Sequence, residues 1–578
     1  MHPDLVDKII GSLKNSKASG LDNINTYIIK LARKQLVPAI THIVNTSIST
    51  AVYPSCYKSS KIIPLLKDSK ADKLNPRSFR PVSLLPVASK ILERAVFLQV
   101  VEYLEHHKLL HPNHHGFRAN HSVTTTILQL YDTWMDALNN GELVGLSLVD
   151  LSAAFDCVDV DLLLAKTELY NFSRHTRQWL WSSMVGRLQV VEVEASLSST
   201  LRVGDVGVAQ GSILGPLWYI LYTNELPEVV HLENCTTAGQ EQEQVQDAEQ
   251  EQGQMANEAA PVQSWQPGQL TAVQWYPAFR VGDSECGTLV NYADDSSSSS
   301  SDLELAELAT SMKLQYSAVA SFLTSSRLQV NDSKTHTMLL TTSQLRKSQN
   351  LSLTVKIGLI DQETSQVERL LGLQVHENLK FREYLQDNEN SLIKSLNKRL
   401  NALKQIRRVT SFSQRLAIAN GIFNSKVVFL ISVWGGTEQY LLQSLQIVVN
   451  KAMRVICNVG KSVPVEELQR RVKWLSVRQA VAYHSLMVAR RVLTTEQPKY
   501  LFIKLSEAIQ NERRHNYGTR HGAIQAAAPR LALISASWLY RVEELYRRLP
   551  RDMVELPVGG NRDQLYKNKL RTWVITNC

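Results

Sequence analysis

Cysteine is scarce in this chain, and long apolar runs are absent from it. The six cysteines among the 578 residues are scattered, and no Cys-x-x-Cys pair occurs. That spacing argues against a zinc knuckle and a disulfide framework, and it suits a reducing compartment. The apolar run at 427–433 is far shorter than the roughly 20 residues of a membrane-spanning helix, and the N-terminus is too polar for a signal peptide. We therefore expect a soluble protein inside the cell with no membrane contact.

Charge is unevenly distributed along the chain. The formal net charge is +9, but residues 391–578 carry 31 Lys and Arg against 11 Asp and Glu, a net +20. Residues 1–390 carry the remaining 32 basic and 43 acidic residues, a net −11. A basic third beside an acidic remainder predicts a nucleic-acid-binding surface, and a solvated face without a partner is the alternative from charge alone. The length exceeds the roughly 250–300 residues at which single cores stop growing, which indicates several domains or subdomains.

Three carboxylates stand out as candidate metal ligands. Asp294 and Asp295 are adjacent on a predicted tight turn, and Asp150 ends an apolar run that predicts a buried strand. Hard cations such as Mg²⁺ take oxygen ligands, often one or two carboxylates together with substrate phosphates. Two such ions roughly 3.5–4 Å apart can stabilise the attacking and leaving oxygens of a phosphoryl transfer. The alternative for Asp294 and Asp295 alone is an ordinary hairpin turn, which Asp favours.

The order of predicted elements indicates an α+β fold. Residues 122–140 have apolar positions at helical spacing, with Ser122 as the N-cap and Gly141 after the end. We expect helices on one face of a small antiparallel sheet, with the catalytic groups at one end of it. The chain is mainly helical and basic from Asp387 onward. Strands are predicted at or near 143–149, 288–292, 328–330, 336–340 and 369–375, with a strand pair within 188–208.

Separated sequence blocks carry a resemblance to a known family. In chain order they are NPRSFRPVSLL (75–85), HGFR (115–118), VDLSAAFD (149–156), QGSILGP (210–216), YADD (292–295), VNDSKT (330–335) and LGL to LKF (371–381). A lone YADD is weak evidence, but the blocks together in this order are highly specific. The chain resembles the reverse transcriptases of non-LTR retrotransposons, jockey-like elements in particular, from about residue 19 to residue 381.

The resemblance implies a right-hand polymerase fold with fingers, a palm built on a small antiparallel sheet, a helical thumb and a helical basic C-terminal region. It implies an RNA-directed DNA polymerase that uses an RNA template, a DNA primer and deoxynucleoside triphosphates, in the cytoplasm and nucleus. Asp150, Asp294 and Asp295 match the residues that hold two Mg²⁺ ions in the family, with Mn²⁺ as the alternative metal. The implied boundaries are 1–140 for the fingers, 141–385 for the palm, 386–500 for the thumb and 501–578 for the C-terminal region.

The resemblance also implies roles for single side chains. Phe155 matches an aromatic residue that lies under the incoming sugar and rejects a 2′-hydroxyl; an ordinary core phenylalanine is the alternative. Gln210 and Gly211 match a block that packs against nucleotide and template; a plain turn before a helix is the alternative. The other nucleotide-binding candidates are Lys67, Arg80 and Lys334, with a surface role as the alternative for the two lysines. The nucleic-acid-binding candidates are Arg118 and, on the implied thumb, Lys394, Lys398, Arg399, Lys404, Arg407 and Arg408.

The chain departs from the family pattern in three places. Serines at 296–301 follow the acidic turn where apolar residues are usual, so we expect a weakened strand, a loosened hairpin and shifted metal ligands. A Gln- and Glu-rich low-complexity insertion at 231–287 is expected to be disordered or a loose helix. The upstream endonuclease of the family is not recognised. These departures favour, as the alternative function, a catalytically inactive relic that still binds RNA or RNA–DNA duplex.

We expect neither the paired histidines nor three of the tryptophans to bind a ligand. The histidine pairs at 106–107 and 114–115 have no cysteine at ligand spacing, so we expect them on the surface rather than at a metal. Trp434, Trp474 and Trp538 are expected in the core rather than as platforms for stacked bases. An RNA polymerase with a similar palm is a further alternative, which Phe155 disfavours because its ring should exclude ribonucleotides.

Overall fold

The structure is a computed structural model that describes residues 1–232, 287–515 and 537–578, apart from residues 17, 68–70, 195, 205, 350, 359, 558 and 560. The insertion predicted at 231–287 therefore lies almost entirely outside the described residues. So does the middle of the predicted C-terminal region. The described elements mix helices with short, mostly antiparallel strands, which agrees with the predicted α+β class.

The N-terminal part of the chain is a helical layer beside a two-stranded ribbon. Its core is made of aliphatic side chains such as Ile10, Val44 and Ile91, which are buried between helices. The helix predicted at 122–140 is present, with a capping box at Ser122 and Gly141 in the left-handed conformation at its end. The elements are α1 (Pro3–Ser12), α2 (Thr26–Leu31), α3 (Arg33–Thr50), β1 (Ser59–Leu66), β2 (Phe79–Leu84), α4 (Val87–His106) and α5 (Val123–Asn140).

The central part of the chain contains the remaining strands. The elements before residue 233 are β3 (Leu143–Val149), β4 (Leu151–Ser152), α6 (Val160–Leu169), α7 (Arg174–Met184), β5 (Leu188–Val193), β6 (Ser196–Leu197), β7 (Leu201–Arg202), α8 (Gly215–Thr223) and α9 (Leu226–Leu232). Those after residue 286 are β8 (Thr288–Tyr292), β9 (Asp295–Asp302), α10 (Leu305–Ser325), β10 (Gln329–Val330), β11 (His336–Leu340), α11 (Ser343–Gln349), β12 (Thr354–Ile357), β13 (Ile360–Glu363), β14 (Val367–Leu370) and β15 (Leu373–His376).

Two larger sheets contain most of the strands in the described part of the chain, and the rest form two-stranded pairs: β4 with β10, β12 with β13, and β14 with β15. The central sheet has the order β11-β3-β9-β8, and every neighbouring pair in it is antiparallel. The second sheet joins β2 and β1 in antiparallel pairing, and β1 continues to β5 in parallel pairing. The central sheet is the one that carries the candidate carboxylates, because Asp150 follows β3 and Asp295 begins β9.

Helices cover both faces of the central sheet, and the prediction of helices on one face is wrong. Val144 and Leu146 of β3 belong to the same core cluster as α5, whereas Leu143 and Val149 share a cluster with α10. The cause is visible in β3 itself. Apolar side chains occupy both alternating sets of positions, so each face of this strand must be buried.

The serine strand β9 is regular, although its sequence predicts a weak one. β9 lies between β3 and β8, and both of its backbone edges are paired along most of its length. Five of its serines, 296–300, are buried, and Ser298 Oγ donates to Gln315 Oε1 at 2.7 Å. The prediction of a loosened hairpin is therefore wrong. Of the three departures that favoured an inactive relic, the serine run is thereby removed as a structural reason.

The C-terminal part is helical, as predicted. The apolar side chains of its helices join the core cluster that contains α5, and Trp434, Trp474 and Trp538 are buried as expected. The predicted domain boundaries themselves remain predictions. The helices are α12 (Leu392–Ile406), α13 (Phe412–Ala419), α14 (Ser425–Val428), α15 (Ile431–Trp434), α16 (Gln439–Cys457), α17 (Val465–Val472), α18 (Val477–Thr495), α19 (Lys499–His515), α20 (Trp538–Arg547), α21 (Arg551–Val554) and α22 (Asn561–Asn577). In the part of the chain that the structure describes, no helix combines the length and apolarity that crossing a bilayer requires.

Candidate active site

The strand register brings the three predicted carboxylates to the same end of the central sheet. The β8–β9 hairpin places Asp294 on its turn, where Tyr292 pairs with Asp295 and Ala293 has a left-handed φ of +59°. Val149, the last residue of β3, pairs with Ser296 of β9. Asp150 is the residue after β3, so the antiparallel register brings it beside Asp295 although the two are 145 positions apart in sequence.

The carboxylates influence one another electrostatically. The pKa of Asp295 is raised to about 6, first by desolvation and then by the negative charges of Asp294 and Asp150. The pKa of Asp150 is also raised; desolvation is the largest cause, the Lys334 ammonium opposes it, and the Asp294 charge adds to it. Lys334 Nζ lies 3.9 Å from Asp150 Oδ2. The three acids therefore form one locus of concentrated negative charge, with a lysine at its edge.

The donor chemistry of this locus suits a hard divalent cation. Carboxylate oxygens are the ligands that Mg²⁺ prefers, and a bound cation relieves both the desolvation and the mutual repulsion that raise the pKa values of Asp150 and Asp295. Among the described residues, however, no three His, Cys, Asp or Glu side chains are close enough together to form a complete metal site. The carboxylates fit an open site, in which substrate phosphates supply the remaining ligands.

The backbone of residues 113–116, called the strap below, packs beside the acidic turn. The Asn291 backbone N–H donates to the Asn113 carbonyl at 3.0 Å, and the His115 N–H donates to the Asn291 carbonyl at 2.8 Å. This parallel contact continues to Gly116, where a Cβ atom would lie 2.2 Å from the Ala293 nitrogen. Glycine is therefore required at 116 by close approach of two backbones. Gly116 belongs to the HGFR block, but the sequence alone gives no sign of this close approach.

The expected surface position of the second histidine pair is wrong. His114 and His115 are both fully buried, because their segment packs along β8 as a short extra strand. Burial lowers the pKa of His114 to about 3 and the pKa of His115 well below its ordinary value, so both imidazoles are neutral. The first pair, His106 and His107, is exposed at the end of α4, as expected.

Arg118 has a structural environment rather than the open one that was predicted for a nucleic-acid contact. Its guanidinium forms a bidentate pair with Glu105 and donates to the carbonyls of His111 and His114. The side chain is 5% exposed. Because four hydrogen bonds of this guanidinium are made within the protein, Arg118 ties the strap to α4.

Phe155 lies next to the carboxylates and is only partly buried. It sits in a short 3₁₀ turn that follows Ala153, whose left-handed φ of +50° turns the chain after Asp150. Its ring stacks on Tyr219 at a centroid distance of 4.8 Å, and Phe117 meets it edge-on at 6.2 Å. Desolvation and the charges of Asp294 and Asp295 raise the pKa of Tyr219. The stacked pair of rings therefore adjoins the acidic locus.

The loop that contains Gln210 and Gly211 is pinned to β2. The Ser83 N–H donates to the Gln210 carbonyl at 2.8 Å, and a Cβ atom on Gly211 would lie 2.7 Å from the Ser83 oxygen. Gly211 also has a φ of +120°, which a residue with a side chain rarely adopts. The side-chain oxygen of Gln210 is buried and has no hydrogen-bond partner among the described residues.

The predicted phosphate-gripping residues lie on the β1–β2 ribbon. Lys67, at the end of β1, is exposed and donates from Nζ to the Arg77 carbonyl at 2.9 Å. Desolvation raises the pKa of Asp156, and the nearby Lys67 ammonium opposes that rise. Lys67 is therefore close enough to act on Asp156, the residue after Phe155. Arg80 is exposed on β2, opposite Leu65 of β1.

The predicted basic thumb helix is α12 with the turn after it. Lys394, Lys398, Lys404 and Arg408 are exposed, whereas Arg399 and Arg407 are partly buried. Arg399 donates to the Ile422 carbonyl at 2.7 Å, which ties its guanidinium to the neighbouring helical segment. The opposite face of α12 is apolar and buried through Leu392, Leu396, Leu400 and Leu403. The helix thus presents one charged face to solvent.

Comparison with known proteins gives a consistent result. Residues 67–375 match the family model described as "Reverse transcriptase (RNA-dependent DNA polymerase)". A 229-residue stretch is 29% identical to the "Probable RNA-directed DNA polymerase from transposon X-element" of Drosophila melanogaster, covering 39% of this chain and 25% of that protein. A 222-residue stretch is 30% identical to the "RNA-directed DNA polymerase from mobile element jockey" of Drosophila funebris, covering 38% of this chain and 24% of that protein. The chain thus spans about a quarter of the length of these relatives.

Proposed function

Because the chain belongs to the reverse transcriptase (RNA-dependent DNA polymerase) family, we propose that it copies retrotransposon RNA into DNA. The observation that carries this proposal is the convergence of Asp150, Asp294 and Asp295 at one end of the central sheet. The proposed substrates are an RNA template, a DNA primer and deoxynucleoside triphosphates. The proposed places of action are the cytoplasm, where such an enzyme joins its RNA, and the nucleus, where the DNA target lies.

The carboxylates would act by binding two divalent ions. When bound, Mg²⁺ or Mn²⁺ would supply Lewis-acid stabilisation of the charge that develops on the transferring phosphoryl group. Asp150, Asp294 and Asp295 would contribute carboxylate oxygens, which the register of the strands brings to the same end of the sheet. Lys334, at 3.9 Å from Asp150, adds a positive charge close to where a triphosphate would lie. Such catalysis consists largely of positioning and charge neutralisation.

Phe155 is the proposed selector for deoxynucleotides. A ring that rejects a 2′-hydroxyl by shape must not move aside, and the stack on buried Tyr219 supports the ring from behind. Gln210 and Gly211 are proposed to face the same nucleotide. Support for this comes from the free acceptor on the Gln210 amide, and from the close backbone packing at Gly211.

Template and primer are proposed to lie along the charged face of α12. Lys394, Lys398, Lys404 and Arg408 are exposed there, and basic side chains bind phosphate backbones through counterion release. Arg399 and Arg407 are weaker candidates, because they are partly buried and Arg399 is hydrogen-bonded within the protein.

Primer extension by the purified chain tests the proposal. The assay contains an RNA template, an annealed DNA primer, Mg²⁺ and deoxynucleotides. We expect extension by the parent and no measurable extension by Asp294→Asn, which should bind template–primer as the parent does because Asp294 is an exposed turn residue. Equal extension by parent and variant would refute the catalytic role of the carboxylate.

A second assay tests the selector. Phe155→Val replaces the ring that stacks on Tyr219 with a smaller side chain. We expect ribonucleotide incorporation by this variant to rise by at least about tenfold relative to deoxynucleotide incorporation. The matched control is Phe172→Val, which shortens a core phenylalanine packed on Tyr103 and away from Tyr219. If the parent already incorporates ribonucleotides efficiently, Phe155 is not the selector.

A further inference from the structure

Glu93 is a buried carboxylate that sequence analysis did not single out. It lies on α4, and its side chain is fully buried. Its two oxygens have different partners. The Tyr53 hydroxyl donates to Oε1 at 3.0 Å, and the Ile213 backbone N–H donates to Oε2 at 2.7 Å. A buried carboxylate is costly unless it is paired and hydrogen-bonded, so this arrangement needs a reason beyond packing.

Arg187 offsets the charge of Glu93. Its Nη2 lies 3.9 Å from Glu93 Oε1, its side chain is 14% exposed, and its Nε donates to the Ser183 carbonyl at 2.9 Å. The guanidinium also stands 5.5 Å from the centre of the Tyr53 ring. Glu93, Arg187 and Tyr53 thus form a buried network, in which the second oxygen of Glu93 is directed at one backbone N–H of a loop.

That loop is the one that carries the proposed nucleotide contacts. Ile213 is three residues after Gln210 and just precedes α8. The Gln210 carbonyl is held by Ser83 of β2, and the Gly215 N–H donates to Ser212 Oγ at 2.8 Å. The loop is therefore fixed at its start by a backbone contact to β2, and near its end by the carboxylate of Glu93 on α4.

We propose that Glu93 is a positioning residue for the incoming nucleotide. By accepting from the Ile213 N–H, it holds the loop in the conformation in which the Gln210 amide and the Gly211 backbone face the nucleotide. This inference rests on the proposed polymerase function and adds to it a residue that acts without touching the substrate. Loss of the acceptor should weaken nucleotide binding more than the chemical step, because the proposed metal-binding carboxylates lie outside this loop.

The test is a matched pair of variants, Glu93→Gln and Glu93→Met. Both remove the buried charge and leave Arg187 without its counterion. The glutamine keeps an oxygen for the Ile213 N–H, while its NH₂ can donate to the Tyr53 hydroxyl; methionine is similar in size but offers no strong acceptor. We expect the KM for deoxynucleotide to be roughly tenfold higher in Glu93→Met than in Glu93→Gln, with kcat within about threefold and similar melting temperatures.

Two further measurements separate positioning from general stability. Hydrogen exchange of the Ile213 amide should be faster in Glu93→Met than in Glu93→Gln, a readout that needs no activity. Tyr53→Phe removes the donor to the other oxygen and should leave both the KM and this exchange near parent values. Equal KM and equal exchange in the Gln and Met variants would overturn the proposal, as would a difference in exchange without one in KM. A parent that extends no primer would instead refute the proposed function, while the exchange comparison would still decide whether Glu93 holds the loop.

Discussion

Strands β3 and β9 lie side by side in the central sheet and have opposite compositions. β3 is almost wholly apolar, whereas β9 is a run of serines between two aspartates. Both are buried along most of their length, and each is paired on both edges. One strand contributes apolar burial to both faces of the sheet, and the other contributes mainly a hydrogen-bonded backbone.

The position of a strand in a sheet can override the intrinsic strand preference of its residues. A central strand gains backbone hydrogen bonds from two neighbours, and its side chains are buried by helices whatever their chemistry. Serine in that position needs partners for its hydroxyl, which Ser298 finds on Gln315 and Ser299 finds on the Thr288 carbonyl. The serine strand therefore depends on its neighbours, whereas β3 supplies much of the stabilisation for the sheet itself.

The largest effects are expected where the two strands end at the carboxylates. Asp150→Asn after β3 and Asp295→Asn at the start of β9 should each reduce primer extension by at least about a thousandfold, because each removes a proposed ligand for the metal. Asp302→Asn, at the far end of β9, is the control and should leave the rate within about twofold of the parent. A rate loss in the control similar to that in the other two would show that β9 is merely sensitive to substitution.

The next effect concerns the strap beside the hairpin. Gly116→Ala would place a methyl group 2.2 Å from the Ala293 nitrogen, so the acidic turn must shift. A displacement of about 1 Å at reacting groups can cost roughly a hundredfold in rate, and we expect a loss of that order in steady-state primer extension. Gly421→Ala is the control, because a Cβ there meets no atom within 4 Å. A Gly116→Ala enzyme of parental activity would show that the turn is held by β9 alone.

A direct comparison of the strands uses residues that face each other. Leu146 of β3 pairs with Ser299 of β9, and both are buried. Leu146→Ala should lower the free energy of unfolding by about 2–5 kcal/mol, because it leaves a cavity in the core. Ser299→Ala should cost less than about 1 kcal/mol, because its hydroxyl makes one long hydrogen bond of 3.4 Å. Equilibrium urea unfolding measures the free energy of unfolding of both variants. Similar losses would contradict the view that β3 contributes more to stability than β9.

The smallest effects distinguish serines within β9. Ser300 Oγ is buried with no hydrogen-bond partner in the described chain, so Ser300→Ala should be neutral or stabilising by up to about 1 kcal/mol. Ser298→Ala removes the donor to Gln315 and should be destabilising by about 1 kcal/mol. The same urea titrations resolve the sign. The opposite order of stabilities would mean that hydroxyl partners do not govern this strand.

Local patterns predicted several elements correctly. α5 was predicted with its caps, because Ser122, the apolar spacing and Gly141 all act within a few residues. β3 was predicted from its apolar run, and β8 from its place before the acidic turn. The serine strand was predicted poorly, because its stability comes from β3 and β8 rather than from its own side chains.

Long-range partners explain the other misses. Arg118 was assigned to nucleic acid by its motif, but Glu105 and two carbonyls occupy its guanidinium. His115 was placed on the surface because the sequence gives no sign that its segment packs along β8. Glu93 was overlooked, because a glutamate on a helix is usually exposed and its loop partner lies 120 residues away.

The amino-acid sequence alone determined the family and singled out the three acids as candidates, because ordered motifs are recognised without any knowledge of contacts. Tertiary structure alone decided which groups are available to a substrate and which are committed to the fold. The physical reason is that availability depends on burial and hydrogen-bond partners, and those come from strands and helices that are distant in the chain.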